Sequence, residues 1–530
     1  MRKFSSYGPV NTKLHYYVPR QELVDRACTQ LLGENPDEGG HYITVWAPRQ
    51  RGKTWVMRET FLAMRQERPE FEIVVLSLQH LRTVQDADKV IQIIAQELIK
   101  KLSLEHVQVQ TVNEFERLFR REILAKPLIL ILDEFDALPE SAISGIAGVF
   151  RNVYNSRQYQ SDRVSAEKDY VLHGVALIGV RSVLGIENVT GSPFNVQRSV
   201  HIPNLTFEEV EAMFRWYERE SGQTVEQAVI DQLFYETRGQ PGLTSWFGEL
   251  LAETYNKHNP TITARDFEIV FAAATNVLPN NNILNILSKA KQEPHRSFVL
   301  ELFETDTRVP FRYDDERTNF LYLNGAIDRK VEDEDKYYIR FACPFVQKRL
   351  FNYFAGAVFR EIGQLYAPFE DLSDTITDDG LNVKNLLRRY ESYLQKNRGW
   401  LLKDAPRRAD LRVREAVYHF NLYLYLDKFL RHWSGRVWPE FPTGNGKLDL
   451  LIRHAGQIYG LEVKSFVNAY EHRKALHQAA RYGHQLGSSE ITLAFFVEIV
   501  DDANRARYEV VYGDAETGVT VTPVFVATGT

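Results

Sequence analysis

Cysteine is scarce in this chain: Cys28 and Cys343 are the only two among 530 residues. Two thiols cannot build a disulfide framework or a cysteine-rich zinc site, which fits a reducing cytosol. No apolar run approaches membrane-spanning length, and no apolar segment of the secretory-leader kind follows the basic N-terminus. A cytoplasmic protein without a membrane partner is therefore expected. An excess of positive charge is missing too: 64 Lys/Arg face 70 Asp/Glu, a net charge of −6. Internal repeats and low-complexity tracts are absent. What is present is ordinary for a globular protein, 44% hydrophobic and 25% charged residues. The length exceeds what one hydrophobic core organises, so three or more domains are expected.

The charge is unevenly spread. Residues 381–436 hold 13 Lys/Arg against 5 Asp/Glu. Just ahead, Glu370, Asp371, Asp374, Asp378 and Asp379 stand without a base. The change of sign between Pro368 and Gly380 reads as an acidic linker, 361–380, followed by a basic module. A solvated helical face would carry the same charge run, and both readings stay open.

The apolar pattern alternates strands and helices as far as about residue 200. A β-rich run at 41–46 leads into a glycine-lysine loop and a helix from Trp55 to about Arg68. Strand candidates follow at 71–78, 128–132 and 171–180, with helices over 86–102 and onward to about Ala125. Continuous apolar runs such as Leu128–Leu132 suit parallel strands covered on both faces. Beyond Pro203 the pattern turns helical, with Thr206 and Glu209 spaced as a capping box. Residues 283–355 read as helices with a hairpin (Leu321–Gly325, then Ala326–Lys330, an acidic turn, and Lys336–Phe341), a winged-helix-like order that a short α+β connector would also give. After the basic module come strands at 448–453 and 457–463, a helix over 469–486, and strands at 491–499 and 507–512.

The loop Ala47-Pro-Arg-Gln-Arg-Gly52-Lys53-Thr54 meets the phosphate-loop pattern except that Ala47 replaces the first glycine. Such a turn aims backbone N–H groups at phosphates while the helix N-terminus adds positive potential. Lys53 is expected to reach the β/γ phosphates of ATP, and the Thr54 hydroxyl to bind Mg²⁺. Asp133, at the end of an apolar strand, would hold the same Mg²⁺, and Glu134 would orient or deprotonate the attacking water. Ala47 is acceptable if its φ is negative.

With Tyr17-Val-Pro-Arg20-Gln-Glu22, Ser192-Pro-Phe-Asn195 and Ile202-Pro203, these motifs resemble the AAA-like ATPases of the STAND-related P-loop class, over residues 10–355. The resemblance implies that Arg20 belongs to a nucleotide-contacting segment and that Arg181 is a sensor near the γ-phosphate. It also implies that Pro241, in the Gly239-Gln-Pro-Gly242 turn, sits by the base. Arg181 as a surface residue and the turn as a plain helix–helix connection remain alternatives. Arg198 has the chemistry of an inter-subunit finger, with nothing to set it apart from an exposed arginine.

Asp449, Glu462 and Lys464 form a second constellation. Hydrolysis of a phosphodiester uses divalent cations, and hard Mg²⁺ or Mn²⁺ calls for carboxylate oxygens. Glu462 and Lys464 share a strand face, and Arg453-His-Ala-Gly456 is a good hairpin turn. This resembles the PD-(D/E)XK nuclease superfamily over 381–515. By that resemblance Asp449 and Glu462 bind metal with the helical Glu415, Lys464 acts beside them, and Gln478 and Tyr482 match the Q-x-x-x-Y element of the RecB-type branch. Leu448 stands where a proline is common. An exposed Glu462–Lys464 ion pair on a surface hairpin is the bland alternative. His472, His477 and His484 do not share a helical face, which argues against zinc, and Tyr418, Phe420, Tyr423 and Tyr425 suit core packing.

The expected fold is α/β and multidomain. It comprises a P-loop core with a parallel sheet (1–200), a helical lid (201–280), a winged-helix-like module (281–360), the acidic linker (361–380) and a restriction-endonuclease-like α/β domain (381–530). The expected function is ATP binding and hydrolysis gating or driving Mg²⁺-dependent cleavage of nucleic acid, with DNA the leading substrate and RNA left open. The resemblance suggests a role in defence or mobile-element biology. The alternative is a nucleotide-dependent switch whose C-terminal fold only binds nucleic acid or a partner. Homo-oligomerisation stays open.

Overall fold

The computed structural model describes all residues except 7, 9, 105, 106, 180–197, 305–307, 333–335, 408–412, 441–448, 467 and 530; for Glu440 and Asp449 it describes the backbone alone. The chain divides into two compact units, Met1–Leu278 with Tyr322–Gly325, and Pro279–Leu321 with Ala326–Thr530.

Five parallel strands organise the first unit: β1 (Tyr42–Trp46), β2 (Glu72–Ser77), β3 (Leu128–Asp133), β4 (Leu172–Gly179) and β5 (Arg198–His201). Their order is β2-β3-β4-β1-β5. Every residue of β3 and β4 is buried, because helices cover both faces. Alternation along β3 sends Leu128, Leu130 and Leu132 into the core with helices Ala87–Lys101 and Glu140–Gln158. Ile129 and Ile131 join the opposite core with helices Gln21–Leu32 and Lys53–Glu67. Each such side chain contributes roughly 1.5–3 kcal/mol of burial. The chain leaves β1 toward β2 on one side and reaches β5 on the other, so the strand order reverses beside β1. In open α/β sheets that is where a crevice opens at the strands' carboxyl ends.

Beyond β5, residues 201–280, where a lid was expected, are mainly helical: Phe207–Ser221, Gln227–Thr237, Pro241–Gly248 continuing as wide π-type turns over Glu249–Tyr255, and Ala264–Asn276. The Thr206–Glu209 capping box forms as expected. Two short strands, β6 (Thr224–Val225) and β7 (Thr261–Ile262), pair beside it.

In the second unit, helices Asn281–Ala290 and His295–Glu304 precede the antiparallel hairpin of β8 (Ile327–Val331) and β9 (Tyr337–Phe341). This segment shares a core with the C-terminal region. Phe303 and Phe351 pack on Phe420, and Arg414 pairs with Glu304 at 3.2 Å. The C-terminal sheet holds β10 (Arg436–Glu440), β11 (Asp449–His454), β12 (Gln457–Ser465), β13 (Glu490–Val497), β14 (Tyr512–Gly513) and β15 (Thr520–Ala527), in the order β10-β11-β12-β13-β15-β14. Strands β10–β12 are antiparallel, whereas β12, β13 and β15 run parallel.

Several expectations need correction. Of the strand expected at 507–512, residues 507 and 508 end the helix Asp502–Tyr508, which the Asp501 side chain caps by accepting the Asn504 N–H, and only Tyr512 enters a strand, β14. The strand β15 was not foreseen. The helix expected to reach Ala125 stops at Arg117, since the Phe119 carbonyl and Arg121 N–H pair with the backbone at Val171 and Asp169. Leu321 to Leu323 end the helix Glu316–Leu323 and do not begin the hairpin. The acidic stretch is not a free linker: Glu370 and Asp374 hold Arg389, whose guanidinium also bonds Thr375 Oγ1.

Much of the basic module's charge is spent internally. Arg388 pairs with Glu391 and Glu509, Arg505 pairs with the same two acids, and Arg431 pairs with Asp427. Glu509 and Glu391 also accept the N–H groups of Phe525 and Ala527, covering an edge of β15. Lys384, Lys396, Lys403, Arg407 and Arg436 remain exposed. Tyr418, Phe420 and Tyr425 are buried core residues.

Candidate nucleotide and nuclease-like sites

The loop between β1 and the helix Lys53–Glu67 turns through two left-handed residues, Gln50 (φ 57°) and Gly52 (φ 89°). A Cβ on Gly52 would meet no atom within 4 Å, so its backbone angle, not space, calls for glycine. Ala47 is fully buried and does not have a positive φ, so no glycine is needed there. Lys53 donates through Nζ to the carbonyls of Ala47 (2.8 Å) and Pro48 (3.2 Å). Burial pushes its pKa down to about 8, against the opposing pull of Asp136, Glu134 and Asp133.

Thr54 Oγ1 donates to Asp133 Oδ2 at 3.0 Å, joining the helix start to the end of β3. The other oxygen of Asp133 accepts the Glu134 N–H. Burial raises the pKa of Asp133, with the Thr54 bond opposing the shift. Glu134 is raised as well, by burial and then by Asp136 and Asp133. It sits at φ 57°, a left-handed conformation that costs a non-glycine residue on the order of 1 kcal/mol or more and is common at functional sites. Two hard oxygens 3.0 Å apart beside the half-buried Lys53 suit Mg²⁺ with a polyphosphate.

The sequence reading passed over Asp136. It is the largest charge opposing the Lys53 shift, and its carboxyl lies where a Cβ on Gly179 would be 3.0 Å away. Its only sequence signal was being the third acid of Asp133-Glu-Phe-Asp136. Arg20 donates to the Pro203 carbonyl and pairs with Glu209 at 3.4 Å, at the start of the helix Phe207–Ser221. Pro241 is the first residue of its helix, and its neighbours Gln240 and Gly242 contact the phosphate loop at Arg49 and Gln50. Arg181 and the Ser192–Asn195 motif lie outside the described residues. Arg198 pairs with Glu34.

Residues 5–259 match the AAA-like domain. The AAA-like region spans β1–β5 and most of the lid, a little under half of the chain, and gives the first unit a nucleotide-binding, ATPase-type role. No curated protein matches the chain. Among solved structures, a Walker-type ATPase of Pyrococcus abyssi is 16% identical at a TM-score of 0.44, covering 66% of this chain and 99% of its own. The Aeropyrum pernix ORC1 protein in complex with DNA is 12% identical at a TM-score of 0.35, covering 63% and 92%. The Thermotoga maritima RuvB Holliday junction branch migration motor is 12% identical at 0.34, covering 61% and 92%. No helix among the described residues is long and apolar enough to cross a membrane.

In the second unit the hairpin turn is Ala455-Gly456, both left-handed at φ 52° and 76°, as a two-residue type I′ turn requires. That turn sets the register, and Asp449 falls opposite Glu462. Glu462 is 1% exposed, and its Oε1 lies 3.3 Å from Lys464 Nζ. Lys464 also donates to Gln478 Oε1 at 2.7 Å. An exposed surface ion pair is therefore the wrong description. Tyr482, one turn beyond Gln478 on the helix Ala469–Gln485, is buried in the core between helix and sheet. Glu415 is the first residue of the helix Glu415–Arg431.

Glu440 was not singled out from sequence. It is the register partner of Asp449 on β10, so Glu440, Asp449 and Glu462 stand on one rung across three adjacent strands. Mg²⁺ and Mn²⁺ prefer carboxylate oxygens, and the backbone register brings three acidic residues to that rung. The three histidines do not converge: His472 stacks on Phe495, whereas His477 bonds Asp514.

Proposed function

We propose that the chain hydrolyses ATP and that nucleotide state gates or drives a Mg²⁺-dependent nuclease in its C-terminal region. Thr54 and Asp133 would hold Mg²⁺ on the nucleotide, Lys53 would bind the β/γ phosphates, and Glu134 would orient or deprotonate the attacking water. Arg20, Arg181 and Pro241 keep their proposed nucleotide-side roles. For the second site, Asp449, Glu462 and Glu415 would hold a metal that polarises the scissile phosphate, with Mn²⁺ as a substitute for Mg²⁺. Lys464, kept in place by Gln478, would stabilise charge on the phosphate, and Tyr482 would brace the helix that carries Gln478. The observation that carries the nuclease reading is the pairing of Asp449 with Glu462 beside the Glu462–Lys464–Gln478 cluster. The division into core, lid, winged-helix-like module and nuclease-like domain is part of the same proposal, as are a DNA substrate and a role in defence or mobile-element biology.

The second reading, a nucleotide switch whose C-terminal fold binds without cutting, is favoured by the internal pairing of Arg388, Arg389 and Arg414, which leaves fewer bases for phosphates. Linear duplex DNA incubated with the full chain, Mg²⁺ and ATP separates the two. Cleavage that disappears in Lys53→Ala supports the gated nuclease. ATP turnover without cleavage supports the switch, and cleavage indifferent to Lys53→Ala removes the coupling.

A further inference from the structure

The turn Gly239–Gly242 is seated on the phosphate loop. The Gln240 side-chain oxygen accepts the Leu243 N–H, capping the helix Pro241–Gly248. That N–H can only donate, so the Gln240 amide nitrogen must face the other way. There it donates to the Arg49 carbonyl at 3.3 Å and, at longer range, to the Gln50 carbonyl at 3.5 Å. The Gly242 N–H reaches the same Gln50 carbonyl at 3.1 Å. A Cβ on Gly242 would lie 2.4 Å from Gln50 Oε1 and 2.7 Å from Gln50 Cβ, so the two segments are in close contact. The turn itself has little freedom. Gly239 is left-handed (φ 66°), and a Cβ there would lie 2.1 Å from the Leu205 carbonyl oxygen. The Leu205 N–H is in turn bonded to the Gly239 carbonyl.

The first four carbonyls of the loop are therefore engaged, those of Ala47 and Pro48 by Lys53, those of Arg49 and Gln50 by the lid turn. In a trans peptide the C=O of one residue points opposite to the N–H of the next. Turning the Arg49 and Gln50 carbonyls to the lid therefore turns the Gln50 and Arg51 N–H groups away from it, as an anion-binding loop requires. A phosphate that draws Lys53 away releases the first pair of carbonyls. The lid turn then remains to hold the second.

We propose that Gln240 is a positioning residue of the nucleotide site, fixing the Arg49–Gln50 peptides so that loop geometry and lid orientation form one equilibrium. This rests on the ATP reading above and deepens it. Gln240 is not a catalytic residue, since it acts through the loop.

Gln240→Glu separates positioning from capping. Glutamate keeps the capping oxygen and adds negative charge at a helix N-terminus, so a purely capping role predicts a variant at least as stable and as tight for ATP as the parent. Positioning predicts weaker ATP binding with the cap intact, because the donor is lost and an oxygen is set against two carbonyls of the phosphate loop. The full chain is compared as parent, Gln240→Glu, Gln240→Ala and Lys53→Ala, measuring Tm with and without Mg·ATP and the Kd for Mg·ATP. We expect Gln240→Glu to keep the parent's nucleotide-free Tm, lose most of the ATP-induced rise and bind ATP about tenfold more weakly. Gln240→Ala should lose both nucleotide-free stability and affinity. A Gln240→Glu protein with parental Kd and ATP-induced rise overturns positioning while leaving the ATP reading intact. A parent whose Tm and binding signal do not respond to ATP, as in Lys53→Ala, overturns the ATP reading and this proposal with it.

Discussion

Lys53, half-buried, and Lys464, buried, both stand beside acidic groups, yet they are held in different ways. Lys53 rests on two neutral carbonyls of its own loop, with burial drawing its pKa down to about 8. Lys464 lies against the carboxylate of Glu462 and bonds Gln478. The first arrangement is provisional, because an ammonium gains more from the full negative charge of a phosphate than from the dipoles of two neutral carbonyls. The second is set before any substrate arrives, and a cation taking Glu462 would have to share it with Lys464. On the proposed reading, the N-terminal lysine would be moved by its ligand, whereas Lys464 would keep the partners it already has.

Removing each lysine is the strongest challenge to that contrast. Lys53→Ala should lower ATP turnover by about 10²-fold or more, read as phosphate release, since the main phosphate cation is gone. Lys464→Ala and Asp449→Ala should lower Mg²⁺-dependent DNA cleavage by about 10²-fold with an unchanged circular-dichroism spectrum. If Lys464→Ala cuts like the parent, the preset lysine is only an internal ion pair and the contrast collapses. Glu440→Gln should act more mildly, raising the Mg²⁺ concentration for half-maximal cleavage about tenfold. No change there would confine the acidic site to β11 and β12.

The smallest effect concerns stability in the first unit. His173 is buried, its Nδ1 2.7 Å from Ser165 Oγ and its Nε2 2.9 Å from the Leu32 carbonyl, and burial pushes its pKa down to about 4. Because the unfolded chain binds that proton near the ordinary value, stability is full above about pH 6.5 and falls as pH drops toward 4. Urea midpoints at pH 7 and pH 5 should show a loss of about 2 kcal/mol attributable to this group, absent in His173→Gln. An identical pH response in the variant would show that the first unit's acid sensitivity lies elsewhere.

Much of both sites could be read from residues that are close in the chain. Gly52-Lys53-Thr54 forms one strand–turn–helix, and Glu462 meets Asp449 through a two-residue turn whose left-handed angles Ala455 and Gly456 supply. Asp133 was visible because five apolar residues precede it. Glu440 was not, because its partnership with Asp449 exists only once β10 pairs with β11. Asp136 and Gln240 were hidden for a similar reason: an acid after a strand and a glutamine in a turn are common, and only proximity to the phosphate loop gives them meaning. The basic module misled in the opposite direction, since charge counted along the chain ignores acids that return from Glu370, Asp374 and Glu509 to pair with it.

What the residues themselves determine here is local chemistry: which backbone positions need a left-handed φ, which apolar runs must be covered on both faces, and which acids and lysines share a strand. These follow from steric limits and from side-chain periods of two and 3.6. Only the folded chain decides which distant groups share a site. The meeting of Thr54 with Asp133, the rung of Glu440, Asp449 and Glu462, and the lid turn resting on Arg49 and Gln50 depend on sheet order, register and packing, which are set by many weak contacts acting together rather than by any short stretch of sequence.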